Sequence, residues 1–469
     1  MSNASEVRVT INGQTVVGRA GSTVLELALA NGIVIPHLCD GAEPWGSCGL
    51  CLVEVEGRPQ PVRACCLTAE EGMVVNSRTE RVQRDRRLVL ELMLSEHTGD
   101  CTAPCSMACP AGVDCQVALA ALARGDFRRA AAVWKDALPL PGAVGLTCGA
   151  FCRSACRRRY VEEPLSIPAL QVWTARADLD SGHPVCPSMV PDSGWSVCVV
   201  GGSLRGLSAA YFLRRLGHRV TVAEESSKMG GVLRERCPDT GLLDRELSWL
   251  EGLGICFQTG CPVSVVRASG GGFDLLLPLA EGGEDPAREV ARGRQAAEKA
   301  HERLTREAPN SRPTIRCRAQ VSERSFQNVP ICLGQPVDGG DLATVRAEAS
   351  RCLECGCSAY PACGLLREIN AAGVRPGRLG WVRLPGPTPL TPGLVYTRSK
   401  CLLCGRCVRA CGETGRGLLS LSGKGRQTTI IGGLPDGTDS PCANCLRCLE
   451  ACPTGALFCA PDLKTDKMD

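Results

Sequence analysis

"CLLCGRCVRACGETG" (Cys401–Gly415) and "CANCLRCLEACPTGA" (Cys442–Ala456) repeat one spacing, C-x2-C-x2-C-x3-C. Iron–sulfur clusters are held by cysteine thiolates that converge from tight loops. Three thiols this close together wrap one face of a cluster, and the fourth begins a helix that points away. Outward from these runs the cysteines keep grouping: there are 32 in 469 residues, most of them in a few islands. Disulfide scaffolds are usually short and secreted. This chain is long, and its start, "MSNASEVRVTINGQTVVGRAG", lacks a basic segment followed by an apolar one. Neither secretion nor disulfide stapling is therefore expected; metal binding and a cytoplasmic location are.

Charge adds exclusions. With 53 basic and 49 acidic residues the formal net charge is +4, which points to neither nucleic acid nor an acidic membrane surface as partner. No run of 18 apolar residues occurs, so no membrane span is expected. The length suggests several domains. The cysteine islands divide the chain into residues 1–95, 96–190, 191–310, 311–395 and 396–469, an α+β multidomain protein.

The two runs at the end resemble two-cluster bacterial ferredoxins, in which the fourth cysteine of each run binds the other run's cluster. That resemblance implies one 4Fe–4S cluster on Cys401, Cys404, Cys407 and Cys452. The other would take Cys442, Cys445, Cys448 and Cys411. Pro453 follows the second run as the pattern wants, and Gly412 stands in its place in the first.

The first island, Cys39 to Cys66, lies in a β-rich stretch. "EVRVTINGQTVVGRAG" alternates apolar and polar residues around Asn12-Gly13, a hairpin signal. "STVLELALANG" follows as a helix with Ser22 as cap and Gly32 as stop. Cys39, Cys48, Cys51 and Cys65 follow C-x8-C-x2-C-x13-C, with Gly46 and Gly49 letting the backbone approach closely. "GSTVLELALANGIVIPHLC", "GSCGLCLVEVEG" and "VRACCLTAEEGMVV" resemble the β-grasp 2Fe–2S domain of the large peripheral complex I subunit and of iron-only hydrogenases. The resemblance implies one 2Fe–2S cluster on those four cysteines, with Cys66 a spare. A zinc knuckle is the alternative, though zinc sites usually pair two close C-x2-C units.

The second island holds Cys101, Cys105 and Cys109, a helical stretch "VALAALARGDFRRAAAVWKDAL", then Cys148, Cys152 and Cys156. It resembles the helical double-cluster domain of the glutamate synthase small subunit and of dihydropyrimidine dehydrogenase. Two 4Fe–4S clusters need eight ligands, and these six cysteines leave two places. The family implies Gln171 in "SIPALQVW" for one. His97, four residues before Cys101 in "HTGDC", resembles a complex I histidine ligand and is the candidate for the other. Cys115 competes with it, or is a buried thiol.

"WSVCVVGGSLRGLSAAYFLRRLGHRVTVAEE" reads strand, glycine turn, helix, strand. A dinucleotide site asks for G-x-G-x-x-G and an acid after the second strand. Gly201, Ser203, Gly206 and Glu224 occupy those positions, with serine where the middle glycine belongs. The stretch resembles the FAD-binding start of the glutamate synthase small subunit, and Gly230-Gly231 in "KMGGVLR" matches that family's flavin-side turn. No second glycine motif follows, so the family's NADPH domain is missing. FAD on a truncated Rossmann-like domain and a degenerate structural fold both stay open.

"EASRCLECGCSAYPACGLLREI" supplies Cys352, Cys355, Cys357 and Cys363, enough for one 4Fe–4S cluster or one zinc ion. Residues 374–395 are rich in Pro and Gly and read as a linker. Ten cysteines outside these sets (66, 115, 186, 198, 237, 256, 261, 317, 332 and 459) read as small buried hydrophobes.

The expected total is one 2Fe–2S and about five 4Fe–4S clusters. No signature of a molybdopterin enzyme, a nickel site or an iron-only hydrogenase centre is present. The domain order resembles electron-transfer subunits of cytoplasmic NAD(P)-linked or electron-bifurcating hydrogenases and formate dehydrogenases. The implied partners are a hydrogenase or formate dehydrogenase catalytic subunit, an FMN/NAD(P)-binding iron–sulfur subunit and soluble ferredoxin. An FAD-containing oxidoreductase subunit is the alternative.

Overall fold

The computed structural model describes residues 6–39, 46–97, 100–262, 272–280, 282–307, 331–357, 363–374, 378–380, 387–391, 393–433 and 445–459. Among these the chain forms two compact units, one from the described parts of 1–99 and 357–469, the other from those of 100–307 and 331–356.

The first unit begins with strands β1 (Glu6–Ile11) and β2 (Gln14–Arg19), an antiparallel hairpin whose turn residues Asn12 and Gly13 have φ of 52° and 82°. Helix α1 (Val24–Ala30) starts one residue later than expected. Thr23, not Ser22, is its cap. Thr23 accepts from the Glu26 N–H, and Glu26 reaches back to the Thr23 N–H (2.7 Å), a capping box that needs Glu three residues on. Strands β3 (Leu52–Val55), β4 (Val62–Arg63) and β5 (Val74–Asn76) complete a sheet ordered β2-β1-β5-β3-β4. Helix α2 (Glu80–Glu96) buries Val82, Arg86, Leu90 and Leu94, one stripe at a spacing of four.

The second unit opens with the helices α3 (Pro104–Ala108), α4 (Cys115–Ala123), α5 (Phe127–Ala137), α6 (Pro141–Thr147), α7 (Phe151–Ser154) and α8 (Ile167–Asp180). Then β6 (Ser196–Val200), α9 (Leu204–Arg215), β7 (Arg219–Ala223), α10 (Gly231–Arg236), α11 (Thr240–Gly252), β8 (Ile255–Gln258) and β9 (Leu275–Pro278) follow. The four strands form a parallel sheet in the order β8-β7-β6-β9. Helix α12 (Pro286–Thr305), capped by Asp285, packs on α9. A Cβ at Gly293 would lie 2.4 Å from the Arg205 carbonyl, so the two helices cross at a distance that only glycine allows. Helix α13 (Leu342–Ser350) lies on α4.

Helical and Rossmann-like parts share one core. Buried polar groups tie them. Lys135 on α5 donates to Asp178 on α8 (2.6 Å), and both are buried. Glu246 on α11 accepts from the Gly142 and Ala143 N–H groups (2.6 and 2.9 Å), so its carboxylate caps the start of α6.

The first unit resumes with α14 (Gly364–Ala372), β10 (Pro387–Thr391), β11 (Leu394–Thr397), α15 (Arg406–Glu413), β12 (Leu419–Ser422), β13 (Thr429–Gly432), α16 (Arg447–Ala451) and β14 (Leu457–Cys459). β10 falls in the stretch read as a linker. It is the edge of the sheet β10-β11-β14, the place where a strand tolerates prolines such as Pro387 and Pro389.

Candidate iron–sulfur sites

Cys39, Cys48, Cys51 and Cys65 are all buried, and Cys39 is in hydrogen-bonding contact with Cys48 and Cys65, as is Cys51 with Cys65. The Cys48 N–H points at the Cys39 Sγ (3.5 Å). Hydrogen bonds from Cys48 and Cys65 hold the Cys39 thiol far below its ordinary range, and Cys65 brings Cys51 down to about 7. Cys48 and Cys65, the donors, are pushed up. Four thiols sharing protons this closely fit a site that takes up cationic iron and releases protons. Gly46 has φ of 63°, and a Cβ there would lie 2.7 Å from the Cys66 Sγ. Cys65 is buried and Cys66 is exposed. Arg86 braces the ligand loop: its guanidinium donates to the Leu50, Ser77 and Leu52 carbonyls at 2.8, 2.9 and 2.6 Å.

In the C-terminal part, Cys401, Cys404 and Cys407 surround the N-terminal end of α15. Burial is the largest cause raising each of their thiols, and the charge of Cys452 adds to it in all three. The fourth cysteine of the second run thus lies with the first three of the first. Gly405 and Leu446 follow the second cysteine of their runs, both have left-handed backbone (φ 71° and 48°), and each begins a helix. The Leu403 N–H donates to the Cys401 Sγ (3.3 Å) and the Leu418 N–H to the Cys411 Sγ (3.2 Å). Such donors stabilise thiolate charge. Cys445 and Cys448 are half-buried; Cys442 lies outside the described residues.

In the second unit, burial raises the Cys109 and Cys148 thiols, and the charge of Cys152 adds to it in both; Cys152 itself is lowered, chiefly by its hydrogen bond from Cys115. Cys148 is pushed up to about 11, burial being the main cause. Cys115 is fully buried, with its thiol in hydrogen-bonding contact with both Cys105 and Cys152. Cys101 is half-buried just before α3. Gln171 on α8 is buried, and its Nε2 donates to the Pro141 carbonyl (2.6 Å) at the start of the helix leading to Cys148.

His97 belongs to the first unit, as the C-cap of α2. Burial and then the Lys400 charge push its imidazole down to about 4. It is therefore neutral near pH 7, and its buried Nδ1 has no hydrogen-bond partner among the described residues. That is the donor chemistry a metal ligand needs.

The third island divides between the units. Cys352 and Cys355 line one cavity with Cys105 and Cys156 in the second unit. Cys357 and Cys363 belong to the first, where the Cys357 thiol faces the Thr454 carbonyl (3.7 Å) and the Gly364 N–H donates to the Pro453 carbonyl (2.8 Å). Among the described residues no group of three or more His, Cys, Asp or Glu is spaced for a single metal ion.

The Rossmann-like turn keeps its shape. Gly201 has φ of 116°, and a Cβ at Gly206 would fall 1.9 Å from the Gly201 carbonyl oxygen. Ser203 caps α9 through the Gly206 N–H (3.5 Å). The Gly230 N–H donates to the Gly202 carbonyl (2.8 Å), and Gly230 and Gly231 both have positive φ. The binding groups, however, are engaged with each other. Glu224 accepts from the Gly202 N–H (2.5 Å) and from the Ser226 N–H and hydroxyl (2.9 Å each). A carboxylate has about four lone-pair sites, so little remains for a ribose. Beside the start of α9, Glu284 and Glu289 line the cleft with Ser203, and Glu289 is clamped by Arg205 at 2.8 and 3.1 Å. Glu284 is likewise held by Arg292 at 2.5 and 2.7 Å, and Arg236 lines the same cleft, so the cleft's charges are paired among themselves. The engaged Glu224 is the feature of this turn that does not fit FAD.

Comparison with known proteins matches four segments of the chain. Four family descriptions match: "2Fe-2S iron-sulfur cluster binding domain" over residues 4–80, dihydropyrimidine dehydrogenase domain II with a 4Fe–4S cluster over 95–182, "NAD(P)-binding Rossmann-like domain" over 199–255, and "4Fe-4S dicluster domain" over 400–456. Three of the matched segments are of iron–sulfur cluster type and the fourth is Rossmann-like. The chain is similar to the 78 kDa subunit of mitochondrial NADH-ubiquinone oxidoreductase from Candida albicans, 35% identical over 24% of this chain and 15% of that protein. The NADPH-Fe(3+) oxidoreductase subunit alpha of Geobacter sulfurreducens is 35% identical over 24% of this chain and 13% of that one. The NADP(+)-dependent formate dehydrogenase subunit beta of Moorella thermoacetica is 29% identical over 35% and 27%. The chain thus spans about a quarter or less of the length of these relatives. A crystal structure of an NAD+-reducing [NiFe]-hydrogenase in the H2-reduced state overlaps 98% of this chain and 90% of that one, with 14% identity and a TM-score of 0.39. Among the described residues no helix is long and apolar enough to cross a membrane.

Proposed function

We propose that the chain is the iron–sulfur relay subunit of a cytoplasmic oxidoreductase complex. It carries electrons between a hydrogenase or formate dehydrogenase catalytic subunit and an FMN/NAD(P)-binding subunit or soluble ferredoxin. The observation that carries this reading is the gathering of cysteines into separate buried or half-buried sets, above all Cys452 beside Cys401, Cys404 and Cys407. Cys39, Cys48, Cys51 and Cys65 would hold the 2Fe–2S cluster. The ferredoxin runs and the helical domain would hold 4Fe–4S clusters, with Gln171 and His97 as candidate non-thiolate ligands. Bound clusters supply one-electron chemistry. The chain's own part is to bury the thiolates, exclude water and aim N–H donors at sulfur, which tunes potential from site to site. The likeness to NADP(+)-dependent formate dehydrogenase subunit beta supports a partner of that class. The flavin alternative has no support in the Glu224 and Glu289 contacts, and no step is assigned to it.

The test is purification from the native source without oxygen, with identification of what accompanies the chain. A nickel–iron or molybdopterin subunit together with an FMN protein is expected. A chain that purifies alone, without iron, would overturn the reading.

A further inference from the structure

Six cysteines of the helical domain leave two cluster places open, and the structure brings two thiols to it from far along the chain. Cys352 and Cys355 follow α13, beyond the entire Rossmann-like fold, yet they line one cavity with Cys105 and Cys156. We propose that Cys105, Cys156, Cys352 and Cys355 together hold one 4Fe–4S cluster, so that the helical domain's cluster site is closed by the segment returning from the Rossmann-like fold. This rests on the iron–sulfur relay reading and deepens it.

Three observations besides the cavity carry the proposal. The first is a clamp. The Gln116 Oε1 accepts from the Gly356 N–H at 2.6 Å, and its Nε2 donates to the Gly356 carbonyl at 3.2 Å. A Cβ on Gly356 would lie 2.6 Å from the Ala103 nitrogen, so the loop can come this close only with glycine there. The second is a buried charge network behind the loop. Arg351 donates to both Glu348 oxygens (2.8 Å each) and to the Glu163 carbonyl (2.6 Å), and the Ser166 N–H donates to Glu348 (3.0 Å). Residues 348–356 are thereby fixed to the loop that follows Cys156 and, through Gln116, to α4. The third is local geometry. In the turn Cys352-Leu353-Glu354-Cys355 the third residue is left-handed (φ 44°), as Leu403 is in Cys401-Leu402-Leu403-Cys404 (φ 53°). Non-glycine residues rarely adopt that backbone. A left-handed residue just before the second cysteine of a C-x2-C pair thus recurs in the ferredoxin part.

Two consequences follow. Cys357 and Cys363 are not partners of Cys352 and Cys355, although they share a twelve-residue stretch. And no histidine is required at this cluster.

The test uses the full chain, purified without oxygen. Three variants are compared for iron content and for low-temperature EPR of the reduced state: C105S/C156S, C352S/C355S and the quadruple substitution. Each pair is expected to lose about four iron atoms per chain, and the quadruple variant no more than either pair, with the same signal missing in all three. C357S/C363S is expected to retain that signal, and far-UV circular dichroism checks that each variant is folded. A quadruple variant that loses about eight iron atoms, as two separate clusters would, overturns the proposal while leaving the relay reading intact. Wild-type chain lacking any 4Fe–4S signal would instead overturn the relay reading, and this inference with it.

Discussion

Gln116 grips Gly356 by both of its backbone groups, across 240 residues of sequence. A side-chain amide that satisfies an N–H and a C=O of one residue acts like a rung of β-sheet, and it sets where the adjacent Cys355 lies. Gln116→Ala leaves both groups unpaired in a half-buried site, at a cost of about 1–3 kcal/mol. The expected outcome is a chain that folds but loses one 4Fe–4S signal faster than wild type under chelator. Unchanged loss of that signal would show that the clamp does not support the cluster.

Arg86 occupies a leucine-like place in the buried stripe of α2 because its three donors are spent on the Leu50, Leu52 and Ser77 carbonyls. Leu50 lies between two candidate ligands, Cys48 and Cys51. Arg86→Ala strands three carbonyls, each worth roughly 1–3 kcal/mol. Visible absorbance of the 2Fe–2S centre should bleach several-fold faster in Arg86→Ala, with Arg86→Lys intermediate and the ferredoxin signals unaffected.

Lys135 and Asp178 are a buried pair at 2.6 Å, and Lys135 also lies 3.8 Å over the Trp249 ring. Removing one charge leaves the other desolvated, which costs about 3–5 kcal/mol. Asp178→Ala should lower the denaturant midpoint of the helical and Rossmann-like unit accordingly. A midpoint equal to wild type would mean that the pair contributes little.

Glu246 gives a pH dependence. Burial raises its carboxyl from 4.5 to about 7, against the Ala143 and Gly142 N–H donors that favour the charged form. Between those values the folded chain binds more protons than the unfolded chain, so this group's contribution to stability falls as pH rises from about 4.5 to about 7. Thermal unfolding of wild type and Glu246→Gln across that range should show the difference between them shifting in favour of the variant as pH rises. A difference independent of pH would contradict the assignment.

Much of this architecture is legible from sequence where the signal is local. Asn12-Gly13 demands the hairpin, the spacing of the two terminal runs announces the ferredoxin part, and Gly201 to Glu224 spells the strand–turn–helix. Elsewhere the deciding neighbour is remote. Thr23 displaces Ser22 as cap because Glu26 answers it. Pro387 and Pro389 suggest a linker, yet an edge strand accommodates them. Glu224 looks like a ribose ligand until the Gly202 and Ser226 donors are seen to engage it. Cys352 and Cys355 look like half of a local site, and only the fold's return past α4 shows that Cys105 and Cys156 are their neighbours.

The central claim is that this chain stores and passes single electrons. The most direct measurement is a redox titration of the anaerobically purified chain followed by EPR. The account predicts reversible uptake of about five electrons per chain in separate steps, one at a 2Fe–2S centre and the others at 4Fe–4S centres, with no flavin radical. Uptake of no electrons, or zinc in place of iron at these cysteines, would contradict it.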